Sequence, residues 1–160
     1  MLDKIGENTD FDFKQIRIGI KNNQFNKIGS GSGRNVFDLE NGYAVKMAKN
    51  KKGYSQNIIE YFISMKIESE LFAKIIAVSD DFSFVIMLKA EKVTGMRQVR
   101  EYFNAKNNRQ LVRTEEIRTI CLENEIFFND IVRAANWGII NDKPTIIDYG
   151  FTKDVRKRFY

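Results

Sequence analysis

The sequence of 160 residues has no histidine and only one cysteine. Without histidine, Ser-His-Asp and Cys-His catalysis are excluded, and a zinc site loses its commonest ligand. Cys121 has no second cysteine with which to form an internal disulfide, so a reducing compartment is expected. Its apolar surroundings in TICLEN favour a buried structural thiol over a nucleophile.

Long apolar runs are also absent. No stretch reaches the roughly 18 consecutive apolar residues that a membrane-spanning helix needs. The N-terminus, MLDKIGENTDF, is polar and acidic, whereas a signal peptide begins with basic and then apolar residues. We therefore expect a soluble, cytoplasmic protein that is not exported and has no membrane partner.

The hydrophobic content of 43% and the length of 160 residues are sufficient for one buried core, so a single domain over 1–160 is expected. The net charge of +5 indicates an anionic partner, which can be nucleic acid, a membrane surface or a phosphorylated small molecule. Basic residues cluster only at KNKK (49–52) and KDVRKR (153–158), and each run alone is typical of a solvated surface.

The first part of the chain has the pattern of a β-sheet. Residues 11–22 fit an alternating pattern about as well as a helical one, so helix and strand both stay open there. From Phe25, the sequence predicts three β segments, and Asn41-Gly42 predicts the hairpin turn between the second and the third.

A helix is predicted next, over residues 54–67, with Ser55 as its cap. Two further strands, 72–79 and 82–90, are rich in Val, Ile and Phe and are joined at Asp80-Asp81. The helix is expected to have one apolar face, made of Ile58, Ile59, Phe62, Ile63 and Met65.

The remaining chain changes to a helical pattern after Thr94-Gly95. Helices are predicted over 96–106 and over a longer segment, 108–124, followed by short strands at 137–141 and 144–150 with a turn at 142–144. The residues expected to point inward from the longer helix are Leu111, Ile117, Ile120 and Cys121. The expected class is α+β: a five-strand antiparallel sheet with one helix after its third strand, then helices, then a hairpin.

Several polar residues stand where a fold alone does not require them. The glycine-rich turn IGSGSGRNV (28–36) lies between two strands, where backbone N–H groups can approach an anion, although a plain hairpin explains it equally well. Lys46 shares a strand face with Ala44 and needs an anionic partner if that face is buried. Glu60 on the following helix can supply it, and a phosphate can be a second partner.

The end of the chain carries oxygen ligands. Asp148 follows the apolar pair Ile146-Ile147, and Asn136 precedes the companion strand. One hairpin can therefore bring an amide oxygen and a carboxylate to a single Mg²⁺, whose retained waters leave room for phosphates. The alternative is an Asx turn at Asn136 and a strand-end aspartate at Asp148.

Taken in order, these features resemble the protein-kinase-like superfamily, which includes small-molecule kinases such as the aminoglycoside phosphotransferases. The resemblance covers about residues 25–152. It implies a two-lobe fold that binds ATP and Mg²⁺ between the lobes. The N-terminal lobe would span about 11–90, the hinge about 88–95, and a truncated helical C-terminal lobe with the metal-binding hairpin about 95–160.

Residue by residue, the resemblance implies the following roles. Gly29, Gly31 and Val36 match three positions of the Gly-x-Gly-x-x-Gly-x-Val loop, but Arg34 replaces the third glycine. The cofactor-binding residues would be Gly29, Gly31, Val36, Ala44, Lys46, Glu60, the gatekeeper Met87 and, at the end of the hinge, Ala90. Lys46 would contact the phosphates and pair with Glu60. Asn136 and Asp148, the latter in Asp-Tyr-Gly, would hold the metal.

The resemblance also implies that Asp130 is the catalytic base, and here the sequence departs from the family pattern. Asp130 and Asn136 are six residues apart instead of five, and Phe128-Asn129 replaces His-Arg. Only ten residues follow Gly150, so the segment that normally holds a peptide substrate is missing from this sequence.

Two functions are therefore weighed. The first is an ATP- and Mg²⁺-dependent phosphotransferase whose acceptor is an unknown protein or small hydroxyl compound. The second is a pseudokinase that binds nucleotide or a partner protein without turnover, and such a partner could complete the C-terminal lobe. A nucleic-acid-binding domain is the weakest alternative, because no RNA or DNA motif supports it.

Overall fold

The computed structural model describes residues 11–150 and 152–159. The polar segment 1–10, which argued against a signal peptide, lies outside these residues. The elements are α1 (Phe13–Lys21), β1 (Asn26–Ser30), β2 (Arg34–Asp38), β3 (Tyr43–Ala48), α2 (Lys51–Lys66), β4 (Ile75–Val78), β5 (Phe84–Leu88), β6 (Glu91–Lys92), α3 (Met96–Tyr102), α4 (Asn108–Leu111), α5 (Glu115–Glu123), α6 (Phe128–Ile131), a 3-10 turn (Ala134–Asn136), β7 (Trp137–Ile140), β8 (Lys143–Ile146) and α7 (Lys153–Phe159).

The N-terminal lobe contains the predicted five-strand antiparallel sheet, in the order β1-β2-β3-β5-β4. The β2–β3 turn lies at the predicted place, and Gly42 adopts a φ of 89°, a left-handed conformation that glycine reaches without steric cost. The helix α2 follows β3, as expected. The predicted α+β class and the helix insertion are therefore confirmed.

The ambiguous segment 11–22 is a helix, α1. Asp12 caps it, because its side chain accepts hydrogen bonds from the backbone N–H groups of Lys14 and Gln15, both at 3.1 Å. Ile16 packs into an apolar cluster on the outer face of the sheet, together with Phe37, Leu39, Val45, Phe84 and Ile86. This face of the sheet is closed by α1, so the opposite face is the one directed toward α2.

The prediction for α2 is wrong in two respects. The helix begins at Lys51 and its cap is Asn50, whose side chain accepts from Gly53 N at 3.1 Å; Ser55 lies inside the helix. The apolar face is also wrong, because Phe62 is 61% exposed and Met65 is 70% exposed. The buried positions are mostly polar, namely Lys52, Gly53, Gln56, Asn57, Glu60 and Ile63. A polar face is buried here because it contacts the charged side chains of Arg34 and Lys46.

Gly53 allows α2 to approach the glycine turn. A Cβ at Gly53 would meet the carbonyl oxygen of Gly33 far inside van der Waals contact. We predict that Gly53→Ala destabilises the protein by about 1–3 kcal/mol, the usual range for overpacking, although alanine favours helix. Urea denaturation would measure this, with Lys51→Ala in the exposed first turn of α2 as the control. A Gly53→Ala protein as stable as the control would contradict the close packing.

The C-terminal lobe is helical but more interrupted than predicted. The single helix expected over 108–124 is wrong, because α4 ends at Leu111 and α5 begins at Glu115. The four residues expected to point inward are all buried, and they form a core with Val99, Ile131, Trp137, Ile146 and Tyr149. Within the described part of the chain, no helix is long and apolar enough to cross a lipid bilayer.

The C-terminal hairpin is present with a shifted turn. Asn141 and Asp142 form the turn with φ of 51° and 63°, and β8 begins at Lys143, so the turn lies earlier than the predicted 142–144. The strand β8 ends at Ile146, which leaves Asp148 beyond the strand. The short strand β6 lies within the predicted hinge and pairs with β7, which ties the connection between the lobes to this hairpin.

Candidate functional site

A buried ion pair joins the sheet to α2. Lys46 on β3 donates from Nζ to Glu60 Oε1 at 2.9 Å and to Glu60 Oε2 at 3.1 Å. Lys46 is 5% exposed and Glu60 is fully buried. The face of Lys46 is therefore buried, and the ion pair with Glu60 that the sequence predicted is present.

Glu60 also fixes the segment that follows β8. Its Oε1 accepts from the backbone N–H groups of Tyr149 and Gly150, both at 3.1 Å. Lys46 Nζ donates to the carbonyl oxygen of Ile147. Asp148 is thereby held between two anchored residues, while its side chain is 45% exposed. The N-terminal lobe and the end of the hairpin thus share one polar cluster.

Arg34 also belongs to this cluster, although no role was predicted for it from the sequence. Its Nη2 donates to Glu60 Oε1 at 2.8 Å and to Asp148 Oδ1 at 2.9 Å, and its Nη1 donates to Asn57 Oδ1 at 3.1 Å. Arg34 is only 5% exposed. The residue that replaces the third glycine of the loop is therefore part of the buried polar cluster.

These contacts determine the ionisation of Glu60. Burial alone would raise the pKa of this carboxyl, but the charges of Arg34 and Lys46 and their hydrogen bonds outweigh burial and lower the pKa to about 2. Burial lowers the pKa of Lys46, whereas the charge of Glu60 opposes that shift. For Arg34, the charges of Glu60 and Asp148 overcome burial and raise the pKa. Glu60 is therefore ionised between two cations.

The glycine turn rests against the start of α2. Asn50 Nδ2 donates to the carbonyl oxygen of Ser32 at 2.9 Å, and Lys49 N donates to the carbonyl oxygen of Gly33 at 2.8 Å. Gly31 N donates to the carbonyl oxygen of Arg34 at 2.9 Å, while the space beside Gly31 is open. The altered loop is thus fixed to the helix by hydrogen bonds.

The predicted adenine-side residues lie on the neighbouring strands. Gly29 pairs with Val36 between β1 and β2, and Ala44 pairs with Met87 between β3 and β5. Ala44 and Met87 are buried, and Ala90 lies just beyond β5 against the backbone of Gly138 in β7. Their positions are compatible with the predicted roles, which stay predictions.

Asp130 lies at the end of α6, close to Asn136. The side-chain amide of Asn136 donates from Nδ2 to the carbonyl oxygen of Asp130 at 2.9 Å, which closes the six-residue segment between them. Asp130 Oδ2 is buried and has no hydrogen-bond partner within the described residues. Burial raises the pKa of Asp130, the charge of Arg133 opposes this, and the charge of Asp148 adds to it. A buried, unpaired carboxylate oxygen is suited to receive a proton or a cation.

The predicted metal ligands carry oxygen donors, the ligand type that a hard cation such as Mg²⁺ prefers. Among residues 11–150 and 152–159, no cluster of three or more Asp, Glu and Cys side chains forms a metal site. Asp130 Oδ2 has no hydrogen-bond partner in the described part of the chain, and Asp148 Oδ1 bonds Arg34 while the Asp148 side chain stays partly open to solvent. The Asp148 carboxylate and the Asn136 amide oxygen would suit Mg²⁺, which takes one or two protein carboxylates and keeps several waters.

Arg34 and Asn57 belong to the cluster, although neither was predicted from the sequence as a site residue. Strand periodicity could have indicated Arg34. Arg34 and Val36 are two residues apart on β2 and therefore lie on the same face, and Val36 pairs with Lys46. A second cation on the face of Lys46 requires further anions nearby. Asn57 gave no comparable signal, since it is one of several polar residues along α2.

The strand order with α2 after β3, the ion pair between β3 and α2, and the Asp148–Gly150 segment after the C-terminal hairpin agree with the arrangement expected from the resemblance to the protein-kinase-like superfamily. No protein-family model matches the chain, and no curated protein matches it either. Among solved structures, it is similar to the streptomycin-ATP-APH(2")-IIa ternary complex, with a TM-score of 0.48 and 17% identity. That match covers 89% of this chain and 73% of the other.

Proposed function

We propose that this protein binds ATP with Mg²⁺ between its lobes and transfers the γ-phosphoryl group to a hydroxyl acceptor. The acceptor would be a protein or a small hydroxyl compound. Phosphoryl transfer depends chiefly on positioning and on neutralising charge. A cluster that holds cations beside ionised carboxylates suits that requirement.

The observation that carries this proposal is the buried ion pair between Lys46 and Glu60 beside Asp148. Lys46 is 5% exposed, and burying a charged ammonium costs free energy unless an opposite charge pairs with it. Glu60 aims the ammonium, and the bond to the carbonyl of Ile147 keeps it next to Asp148. In the proposal, the ammonium contacts the phosphates, while Asp148 and Asn136 would hold Mg²⁺.

Bound Mg²⁺ would neutralise charge on the phosphates, and the rest of the work belongs to side chains. Asp130 would accept or orient the proton of the acceptor hydroxyl, since its Oδ2 has no partner within the described chain. Arg133, whose Nη1 lies 3.9 Å from Asp130 Oδ1, is exposed and can approach the transferred group. Val36, Ala44 and Met87 would form the apolar surroundings of the adenine ring of ATP.

A pseudokinase is the second candidate, and one contact favours it. Arg34 bonds the Asp148 carboxylate that a metal would use, so the charge of this carboxylate is compensated by the protein itself. The protein would then bind nucleotide or a partner protein without turnover. Such a role needs the fold and the cleft but not Asp130.

Calorimetric titration of ATP with Mg²⁺ tests the nucleotide claim. We expect the parent to bind ATP and Lys46→Met to bind it about 10- to 100-fold more weakly, because a charge-assisted bond to phosphate is lost. Methionine retains the long apolar stem, so the strand should stay packed. Lys66→Met, at the exposed end of α2, is the matched control. A Lys46→Met protein that binds ATP as tightly as the parent would place the phosphates elsewhere.

A further inference from the structure

Arg34 connects three parts of the cleft through one side chain. It starts β2, contacts Asn57 and Glu60 on α2, and reaches Asp148 after β8. The same nitrogen, Nη2, donates to both carboxylates, at 2.8 and 2.9 Å. Since Arg34 is 5% exposed, this guanidinium is a fixed part of the cluster and not a mobile surface charge.

The cluster is already neutral when Arg34 is docked. Arg34 and Lys46 carry two positive charges, and Glu60 and Asp148 carry two negative charges. A divalent cation at Asp148 would come close to the buried guanidinium, and two like charges at so short a distance repel each other. The bond between Arg34 and Asp148 and the binding of a divalent cation at Asp148 therefore disfavour each other.

Resting on the proposed function, we propose that Arg34 and the divalent cation compete for the carboxylate of Asp148. With Arg34 docked, Oδ1 of Asp148 is used by the guanidinium, and the metal-bound state requires Arg34 to release it. Arg34 therefore raises the concentration of divalent cation at which Asp148 binds the metal. In this way Arg34, which replaces a loop glycine, controls the affinity of the site for the cation.

The other contacts of Glu60 and Asp148 support competition between Arg34 and the cation over a purely structural role of Arg34. Glu60 keeps Lys46 and two backbone N–H groups as partners when Arg34 is removed. Asp148 has Arg34 as its ion-pair partner among the described residues, and its side chain is 45% exposed. Loss of the guanidinium therefore frees Asp148 while leaving Glu60 compensated.

Binding of Mn²⁺ to the nucleotide-free protein tests the proposal, because Mn²⁺ shares the oxygen preference of Mg²⁺ and its free fraction is read by electron paramagnetic resonance. Arg34→Gln removes the charge and keeps an amide that can bond Asn57. We expect its apparent Mn²⁺ affinity to rise about tenfold, in line with the loss of one competing charge-assisted contact. Arg97→Gln is the matched control, since Arg97 is exposed and pairs with Glu101 away from the cleft.

Adding Asp148→Asn to Arg34→Gln should remove the gain, which locates the cation at Asp148. Arg34→Gly, which restores the residue of the family loop, and Arg34→Lys, which keeps the charge but not the planar fork, serve if Arg34→Gln does not fold. Glycine should give the larger gain. Mn²⁺ affinity that is unchanged or weaker in every folded variant overturns the competition. Absence of ATP binding in the parent would refute the proposed function alone, because the Mn²⁺ titration uses no nucleotide.

Discussion

Replacing Asp130 by alanine is expected to lower phosphoryl transfer by about 10²- to 10⁴-fold, the usual contribution of general-base assistance. The nucleotide affinity should change little, because Asp130 would contact the acceptor and not the adenine or the Lys46 side of the cleft. Burial of Asp130 raises its pKa, so the acid limb of the rate should lie above the ordinary range of an aspartate.

Release of ADP by the parent and by Asp130→Ala measures this, with Mg²⁺ and a panel of proteins and small hydroxyl compounds as acceptors. Asp80→Ala is the matched control, since Asp80 is an exposed turn residue. Equal turnover by Asp130→Ala and the parent would remove Asp130 from the mechanism. A parent that binds ATP but transfers phosphate to no acceptor would support the pseudokinase.

Glu60→Ala is expected to destabilise the protein by about 3–5 kcal/mol, the cost of removing one partner of a buried ion pair. The variant leaves Lys46 and Arg34 buried with a surplus positive charge, and it leaves the N–H groups of Tyr149 and Gly150 without their acceptor. Urea denaturation at neutral pH measures the loss. Glu68→Ala is the control, because Glu68 is exposed just after α2.

The effect of Glu60 should depend on pH with a defined sign. Its pKa in the folded protein is about 2, below the ordinary 4.5, so the folded state favours the ionised form. Its contribution to stability is complete above pH 4.5 and is lost as the pH falls from there toward 2. The stability difference between parent and Glu60→Ala should therefore shrink in that window. A Glu60→Ala protein as stable as the parent at neutral pH would refute the buried pair.

The strands were predictable because periodicity and turn chemistry agree there. The Asn41-Gly42 turn and the apolar residues of β3 and β5 need no tertiary information, and these strands lie where the sequence indicates. The break between α4 and α5 was harder, since no glycine or proline marks it. Thr114 followed by Glu115 and Glu116 is a helix-start signal, and it explains the break in retrospect.

The face of α2 could not be predicted by hydrophobic periodicity. Phe62 and Met65 are exposed, and Asn57 and Glu60 are buried, because the partners of this helix are charged groups from β2, β3 and the segment after β8. A pattern rule assumes that the buried face is apolar. It fails where a functional cluster occupies the interior, and such a failure itself indicates a site.

The candidate site was predictable only in part, and the limit is again physical. Lys46 and Glu60 are two oppositely charged residues on elements adjacent in sequence, so their pairing follows from the order of the elements. The contact between Arg34 and Asp148 spans 114 positions and depends on how the lobes meet. No local pattern encodes that distance.

A crystal structure with a non-hydrolysable ATP analogue and Mg²⁺ tests the central claim, that the nucleotide lies between the lobes at the Lys46–Glu60 pair. We predict that phosphate oxygens lie within hydrogen-bond distance of Lys46 Nζ, that the metal contacts Asp148, and that Arg34 no longer bonds Asp148 Oδ1. An analogue bound away from Lys46, or a cleft that stays empty at millimolar analogue with Arg34 still bonded to Asp148, would contradict the account.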